Sequence, residues 1–273
     1  MTNRIDERLA ALAAGRRKGL MTHVVVGYPS LASTSALIAA MDEAGADFIE
    51  LQIPFSDPLA DGPTIQSACE AAIARGARVR DAFTIAAESS ARVQAPLLFM
   101  AYANTVYRYG TESFCRAAAG AGISGLIVPD LPAEAARHEG YLDACRRHGL
   151  HNIVTLAPTS TDDRMAANSA VASGFVYCMS RRGVTGAQLG LAPDIQSYLR
   201  RARQHLTVPM AVGFGISGRA RLEQVLPYCD VATVGSALID RLAGFEPGDV
   251  ARQADTTRAF MRTLTPALVR AGY

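Results

Sequence analysis

The chain has 273 residues, of which 49% are hydrophobic and 19% charged, and its formal net charge is +2. This length suits one large α/β barrel or two ordinary domains, and the near-neutral charge gives no reason to expect nucleic acid or an anionic membrane as a partner. No apolar run is long enough to span a membrane, and residues 1–18 lack the apolar region of a secretory signal. We therefore expect an enzyme of the cytoplasm.

Eight short apolar runs have the composition of buried parallel strands, and helical patterns separate them. Strand followed by helix, eight times, is typical of a (β/α)8 TIM barrel. No linker interrupts the pattern, so we predict one domain over residues 1–273 with additional helices in the βα loops. An open doubly wound sheet is the alternative, and it is disfavoured because the glycine-rich turns come late in the chain.

In chain order, the predicted elements begin with a helix at residues 4–15, before the barrel, and end with a helix at residues 250–271. The predicted strands are 23–27, 48–53, 97–101, 125–129, 152–156, 175–179, 210–213 and 231–234. The predicted helices between and after them are 33–44, 64–74, 79–93, 112–121, 133–148, 162–173, 192–204 and 219–226.

The second predicted strand carries an acidic residue in its middle and leads into a loop that ends at another acid. In this segment, FIELQIPFSDPLADGP at 48–63, the alternation of strand faces places Glu50 on one side with Phe48 and Gln52. A carboxyl group among apolar neighbours is costly to ionise, so it tends to keep the proton that a general acid needs. The loop delivers Asp61 into what we expect to be a wetter setting. Because the chemistry of barrels lies at the C-terminal ends of strands, this pair predicts acid–base catalysis.

These side chains also have structural interpretations. A purely structural Glu50 needs a buried partner such as arginine, and no arginine lies inside a predicted strand. Asp61 could instead fix its own turn or cap the helix predicted to begin at Thr64. Tyr102 and Tyr177, at the ends of the third and sixth strands, could be ordinary half-buried tyrosines.

The turns after the last three strands are rich in glycine. Gly186, Gly215, Gly235 and Ser236 are placed there to offer backbone N–H groups to an anion. Tight turns need glycine for other reasons, but three such turns at the loops where barrels bind phosphate predict a phosphate cradle. We expect a phosphorylated substrate that is isomerised, or cleaved at a carbon–carbon bond, by proton transfer.

Other chemistries find little support in the sequence. The five cysteines are scattered, which favours reduced thiols over a disulfide framework or a zinc site. The histidines form no cluster at the strand ends, so we expect no metal, and His23 is interpreted as a lone core residue. Lys18, the only lysine, precedes the first strand and is badly placed for imine chemistry.

The segment 50–66, ELQIPFSDPLADGPTIQ, closely resembles the signature of the tryptophan synthase alpha subunit family. The resemblance covers nearly the whole chain and implies retro-aldol cleavage of indole-3-glycerol phosphate to indole and glyceraldehyde 3-phosphate in tryptophan biosynthesis. Outside the signature, the similar segments are 27–29, 102–104, 129–132, 157–159, 180–186, 213–217 and 235–237.

The resemblance also implies roles for individual residues. Glu50 is expected to protonate the indole carbon that bears the glycerol chain and to accept the hydroxyl proton. Asp61 is expected to accept a hydrogen bond from the indole N–H, and Tyr177 to lie near Glu50. Thr185 falls in a loop expected to close over the site and meet Asp61. The other implied contacts are Met100, Phe214 and Tyr102 at the substrate, and Gly186, Gly215, Gly235 and Ser236 at the phosphate.

The same resemblance implies a partner. A beta subunit that carries pyridoxal phosphate and consumes the indole is expected to form an assembly of two alpha and two beta subunits, while this chain carries no cofactor. The loops that contain residues 54–61, Asn104 and Pro132 match the docking surface. Two alternatives stay open: a stand-alone lyase without a beta partner, and a non-catalytic allosteric subunit, which the retention of Glu50 and Asp61 disfavours.

The sequence departs from the family pattern around the expected pocket. Gln52 stands where the family usually has glycine, on the strand face that carries Glu50. The first strand lacks the proline and aromatic residues often found there, with His23 at a usually apolar position and Val25 where threonine is frequent. We expect these changes to alter the pocket and to leave both carboxylates in place.

Overall fold

The structure, a computed structural model, describes residues 2–179, 194–213 and 215–270. Eight parallel strands pair in chain order, and the last pairs with the first, so the sheet closes into a barrel. The predicted (β/α)8 barrel is confirmed, and the open sheet is excluded. The strands are β1 (Gly19–Val25), β2 (Phe48–Gln52), β3 (Leu97–Met100), β4 (Ile123–Ile127), β5 (His151–Leu156), β6 (Val176–Met179), β7 (Met210–Gly213) and β8 (Val231–Val234).

Helices cover the outside of the barrel and, among the described residues, none has the length and hydrophobicity needed to cross a bilayer. A 3-10 turn, Leu226–Tyr228, precedes the last strand. The helices are α1 (Arg4–Ala14), α2 (Leu31–Glu43), α3 (Pro63–Ala74), α4 (Val79–Ser90), α5 (Ala103–Tyr109), α6 (Thr111–Gly120), α7 (Ala133–His138), α8 (Tyr141–Arg147), α9 (Asp162–Ser169), α10 (Ile195–His205), α11 (Arg219–Val225), α12 (Ser236–Leu242) and α13 (Val250–Arg270).

Some element boundaries differ from the sequence-based prediction. Strand β1 begins four residues before the predicted start at 23, because its first residues pair with β8. The single helix predicted over 133–148 is two helices, since Gly140 between them has a φ of 70°, in the left-handed region that favours glycine. Additional helices in the βα loops are confirmed, and α5 and α12 are two that the predicted boundaries do not include.

Alternating strand residues divide the core into two layers. Those that face outward pack against the helices, and those that face inward fill the barrel. Inside, the rings of Phe48 and Phe175 meet edge to face with centroids 5.6 Å apart. The inner layer also contains Met21, Leu98, Met100, Ile127, Ile153, Ala211 and Val231.

Helix α1 closes the N-terminal end of the barrel. Its buried residues Ile5 and Leu12 pack against the interior residue Phe48. A Cβ added at Gly19 would lie 2.8 Å from Leu12 Cδ1, so the absence of a side chain in β1 allows this close approach. Because packed side chains close this end, a ligand can enter the barrel from the opposite end, where the strands have their C-termini.

A buried carboxylate at the closed end makes a stability prediction. Asp47 is 1% exposed, accepts a hydrogen bond of 2.9 Å from the Leu20 N–H and pairs with the guanidinium of Arg17. We expect Asp47→Ala to lower the free energy of unfolding by about 2–3 kcal/mol, because it leaves a buried amide and a cation without their acceptor. Chemical denaturation measures this loss. The control Asp143→Ala breaks an exposed pair with Arg146 and should cost less than about 1 kcal/mol; equal losses for the two variants would contradict the prediction.

Candidate active site

A cavity of about 600 Å³, counted with its open mouth, lies at the C-terminal end of the barrel. It brings together most of the site residues predicted from the sequence, although they come from five different strand ends and loops. These are Glu50, Asp61, Met100, Tyr177, Gly215, Gly235 and Ser236. The lining is completed by His23, Ala60, Ile65, Ile127, Pro129, Thr155, Met179, Ile216 and Thr233.

Glu50 points into the barrel, as the alternation of strand faces predicts, and is only 3% exposed. Its partner is His23, which the register of β1 and β2 places directly beside it. His23 Nδ1 lies 3.3 Å from Glu50 Oε1. Glu50 Oε2 and His23 Nε2 have no hydrogen-bond partner among the described residues. The interpretation of His23 as a lone core residue is therefore wrong, and the buried partner of Glu50 is an imidazole rather than an arginine.

The position of His23 changes its proton affinity. Burial lowers the pKa of His23, but the charge of Glu50, a hydrogen bond with Glu50 and the charge of Asp61 raise it, and the net pKa lies above the ordinary 6.5. The imidazole thus keeps its proton to a higher pH than a histidine in water does. This shift favours a proton on the imidazole beside Glu50.

Asp61 lies in the loop between β2 and α3 and is 3% exposed, so the expectation of a wetter setting is wrong. Its Oδ2 accepts hydrogen bonds from Gln52 Nε2 at 2.7 Å and from the Tyr102 hydroxyl at 2.8 Å. It does not cap α3, whose N-cap is Gly62 without a side-chain cap bond. Burial raises the pKa of Asp61 above 3.8, although the bonds from Tyr102 and Gln52 and the charge of His23 oppose the shift.

Tyr102 and Gln52, which are not among the residues that line the cavity, hold Asp61 in place. The Tyr102 hydroxyl also accepts the Ala60 N–H at 3.0 Å, and its ring stacks on Phe55 with centroids 5.2 Å apart. Burial and the neighbouring Asp61 raise the pKa of Tyr102, so the hydroxyl stays a donor. Both donors use Oδ2, and none among the described residues reaches Oδ1. The described residues therefore leave one oxygen of Asp61 for a ligand.

Tyr177 extends from β6 toward Glu50 and is buried. Burial and the charge of Glu50 raise the pKa of Tyr177, while a hydrogen bond with Thr233 lowers it, so the phenol remains protonated at neutral pH. Met100, from β3, supplies apolar surface to the same cavity. The described lining thus combines two carboxyl groups with an apolar wall.

The glycine turns meet the cavity on the side of β7 and β8. Gly215 has a φ of 83°, a backbone conformation that would be strained for a residue with a side chain. Gly235 and Ser236 follow β8 directly. No lysine or arginine lines the cavity within the described ranges. An anion there would therefore depend on backbone and hydroxyl donors. Of the predicted site residues, Thr185, Gly186 and Phe214 lie outside the described residues.

Within the described part of the chain, no group of three or more His, Cys, Asp or Glu side chains could hold a metal ion. The two carboxyl groups of the cavity instead have polar side chains as partners: Glu50 contacts His23, and Asp61 accepts a hydrogen bond from Gln52. Their chemistry is that of proton transfer and hydrogen bonding.

Comparison with known proteins agrees with this geometry. The family model described as tryptophan synthase alpha chain matches residues 9–267. The chain belongs to the tryptophan synthase alpha chain family. The alpha chain of Roseiflexus castenholzii is 44% identical over 258 residues, which cover 94% of this chain and 98% of that one. That of Chloroflexus aurantiacus is 44% identical over 269 residues, covering 98% and 99%.

Solved structures of the family share the fold over its full length. A chain of Mycobacterium tuberculosis tryptophan synthase superposes with a TM-score of 0.88 at 34% identity, covering 98% of this chain and 99% of that one. The alpha subunit of Legionella pneumophila tryptophan synthase gives a TM-score of 0.87 at 31% identity, covering 98% and 99%. The resemblance drawn from segment 50–66 is thereby confirmed at the level of family and fold.

The sequence analysis did not predict that two residues of the site are partners of the carboxyl groups. His23 and Gln52 stand out in the sequence only as departures from the pattern of the tryptophan synthase alpha chain family. In the structure each contacts one of the two acids, His23 contacting Glu50 and Gln52 contacting Asp61. The available signal was the inward face that the alternation of β2 assigns to Gln52 together with Glu50.

Proposed function

We propose that this chain cleaves indole-3-glycerol phosphate with Glu50 as the proton-transfer group and Asp61 as the acceptor of the indole N–H. The cleavage itself, a step of tryptophan biosynthesis, is the function of the tryptophan synthase alpha chain family, and this chain is a lyase of that family. The observation that supports the residue assignment is the single cavity that joins both buried carboxyl groups to the glycine turns.

The proposed reaction is a retro-aldol cleavage in which protons and electrons balance. Glu50 gives a proton to the indole carbon that bears the glycerol chain, and positive charge develops on the ring nitrogen. Asp61 Oδ1 accepts a hydrogen bond from the indole N–H, and this hydrogen bond strengthens as the charge develops. The Glu50 carboxylate takes the hydroxyl proton from the adjacent carbon, an aldehyde forms, and the electrons of the broken carbon–carbon bond return to the ring. Indole and glyceraldehyde 3-phosphate result.

The remaining lining suits the two ends of this substrate. Met100, Ile65 and Ile127 offer apolar surface for the flat indole ring, and Tyr177 orients the reacting carbon near Glu50. In this proposal the phosphate binds the backbone around Gly215, Gly235 and Ser236. Tyr102 supports Asp61, and Thr185, Gly186 and Phe214 complete the contacts implied by the family signature.

Two wider assignments belong to the same proposal. We take residues 1–273 as one domain, because α1 packs into the barrel and α13 packs against α2, so both ends of the described chain join the same core. We place the enzyme in the cytoplasm, since its five cysteines are all free and buried, as in proteins of reducing compartments.

Family membership implies a tryptophan synthase beta subunit as partner. We propose a heterotetramer of two alpha and two beta subunits in which the loop of residues 54–61 docks on the beta subunit. Leu59, in this loop, is 81% exposed, the largest exposure among the large hydrophobic side chains of the described chain. In this proposal Leu59 supplies an apolar side chain that the beta subunit buries on docking.

Indole release, assayed with and without added beta subunit, tests the function and the partner together. We expect strong stimulation by the beta subunit. Leu59→Ser should raise the beta concentration for half-maximal stimulation by about tenfold and leave the unstimulated rate unchanged. A high rate that the beta subunit does not change would identify a stand-alone lyase. If no indole is released in both assays, with and without the beta subunit, the chain is a non-catalytic subunit.

A further inference from the structure

We infer that His23 is a positioning residue that holds Glu50 and, through it, keeps a transferable proton in the site at neutral pH. This inference rests on the proposed role of Glu50 and adds a residue that the family signature does not include. It begins from one contact, His23 Nδ1 to Glu50 Oε1 at 3.3 Å, between two side chains that are 5% and 4% exposed.

The fold fixes this contact from both sides of His23. The parallel register of β1 and β2 pairs residue 23 with residue 50, and both side chains point into the barrel. On the other side, a Cβ added at Gly235 would lie 3.3 Å from His23 Cβ and 3.5 Å from its Cγ. The imidazole therefore occupies space that a side chain at position 235 would need, and its burial limits how far the ring can turn away from Glu50.

The charges around the pair make His23 the only basic group among the described residues that line the cavity. Asp61, from the loop after β2, faces it with negative charge, and Tyr177, from β6, approaches Glu50. Strand β8 contributes the neutral Thr233. Behind Asp61 lie the phenol of Tyr102 and the thiol of Cys69, both with raised pKa values that keep them neutral.

Two carboxyl groups and one imidazole in a buried site share protons. When the imidazole is charged it offsets a carboxylate, and when it passes its proton to Glu50 both members of the pair become neutral. Because Glu50 and Asp61 raise the pKa of His23 above 6.5, the pair gives up this proton only above the ordinary histidine range. An isolated carboxylic acid loses its proton several pH units lower. His23 thus extends to higher pH the range in which Glu50 has a proton to transfer.

A space-filling role predicts a different outcome. If His23 only packs the barrel, its replacement changes stability or substrate affinity and leaves the pH dependence of turnover where it was. His23→Asn separates the two roles, because the amide keeps a donor near the position of Nδ1 but does not titrate.

The experiment measures kcat and KM for indole release against pH, with the full chain and its beta subunit. For His23→Asn we expect the alkaline limb of kcat to move to lower pH by at least one unit, kcat at pH 8 to fall by about tenfold or more, and KM to stay within about twofold. The matched control His148→Asn breaks another histidine–glutamate contact, His148 Nε2 to Glu112 Oε1 at 2.7 Å, outside the cavity lining. Its profile should match that of the unmodified chain.

A second measurement keeps the inference testable if His23→Asn does not fold. Nuclear magnetic resonance should show the His23 ring titrating above pH 6.5, and Glu50→Gln should move that midpoint down by about one unit or more. An unmoved midpoint, or an unmoved alkaline limb in a folded His23→Asn, would overturn the inference. An active Glu50→Gln would instead defeat the proposed function, and the titration of His23 would still report on the pair.

Discussion

Glu50→Gln is expected to lower the rate of indole release from indole-3-glycerol phosphate by about 10²–10⁴-fold, the range that general acid–base catalysis contributes. An amide of the same shape cannot give a proton to the ring carbon or accept one from the hydroxyl. The turns at Gly215 and Gly235 are unchanged, so the variant should still bind glyceraldehyde 3-phosphate with a dissociation constant within about threefold of the original. Turnover assays and calorimetry measure the two effects separately.

The control for this variant is a glutamate of the surface. Glu112, on α6, pairs with His148 and Arg147 outside the cavity lining, so Glu112→Gln should retain its rate within about twofold. If Glu50→Gln turned over substrate as fast as this control, another group would have to transfer the proton. The assignment of Glu50 would then fail even though the family and the fold stand.

Asp61→Asn is expected to lower kcat by about 10²-fold, the lower end of the loss when one transition-state hydrogen-bonding group is removed. Gln52 and Tyr102 both donate to one oxygen of Asp61, and the asparagine oxygen will take that place. The amide NH₂ then faces the indole N–H, donor against donor. Steady-state kinetics with indole-3-glycerol phosphate measures the loss.

The pH profile adds a second signature of Asp61. Burial raises the pKa of Asp61 above 3.8, so turnover in the unmodified chain should fall on the acid side as pH drops through that pKa and the acceptor gains a proton. Asp61→Asn should lack this acid limb. Asp57→Asn is the control, because Asp57 is exposed and its carboxylate is bonded by the neighbouring Ser56. Equal rates for Asp57→Asn and Asp61→Asn would contradict the role of Asp61.

The alternation of strand residues was enough to predict which way Glu50 points. Five residues of β2 carry a simple period, and Phe48 and Glu50 both face the interior as it requires. The glycine turns were also predictable, since βα loops reach the same end of the barrel wherever they lie in the chain. Local pattern and barrel topology together therefore placed the described part of the cavity.

The contacts of the two acids depend on the fold as a whole. His23 contacts Glu50 because closure of the barrel sets the register of β1 against β2. That register cannot be predicted from the sequence of either strand alone. Asp61 is buried because its loop folds back onto Gln52 and Tyr102, which lie 9 and 41 residues away along the chain. From composition alone, a loop rich in proline and aspartate is predicted to be exposed, because the partners that bury it are not evident in the sequence.

The departures from the family pattern acquire a physical meaning in this structure. Gln52, at a position where the family usually has glycine, gives Asp61 a second donor beside Tyr102. His23, at a usually apolar position, gives Glu50 an ionisable partner. Each of these residues thus adds a polar contact to one of the two proposed reacting carboxyl groups.

The most direct test of the central claim is a crystal structure of Glu50→Gln with indole-3-glycerol phosphate bound. The proposed mechanism predicts residue 50 in contact with the ring carbon that bears the glycerol chain and the indole N–H within hydrogen-bonding distance of Asp61. It also predicts the phosphate on the backbone of Gly215, Gly235 and Ser236. An indole N–H that faces away from Asp61, or a phosphate bound outside these turns, would contradict it.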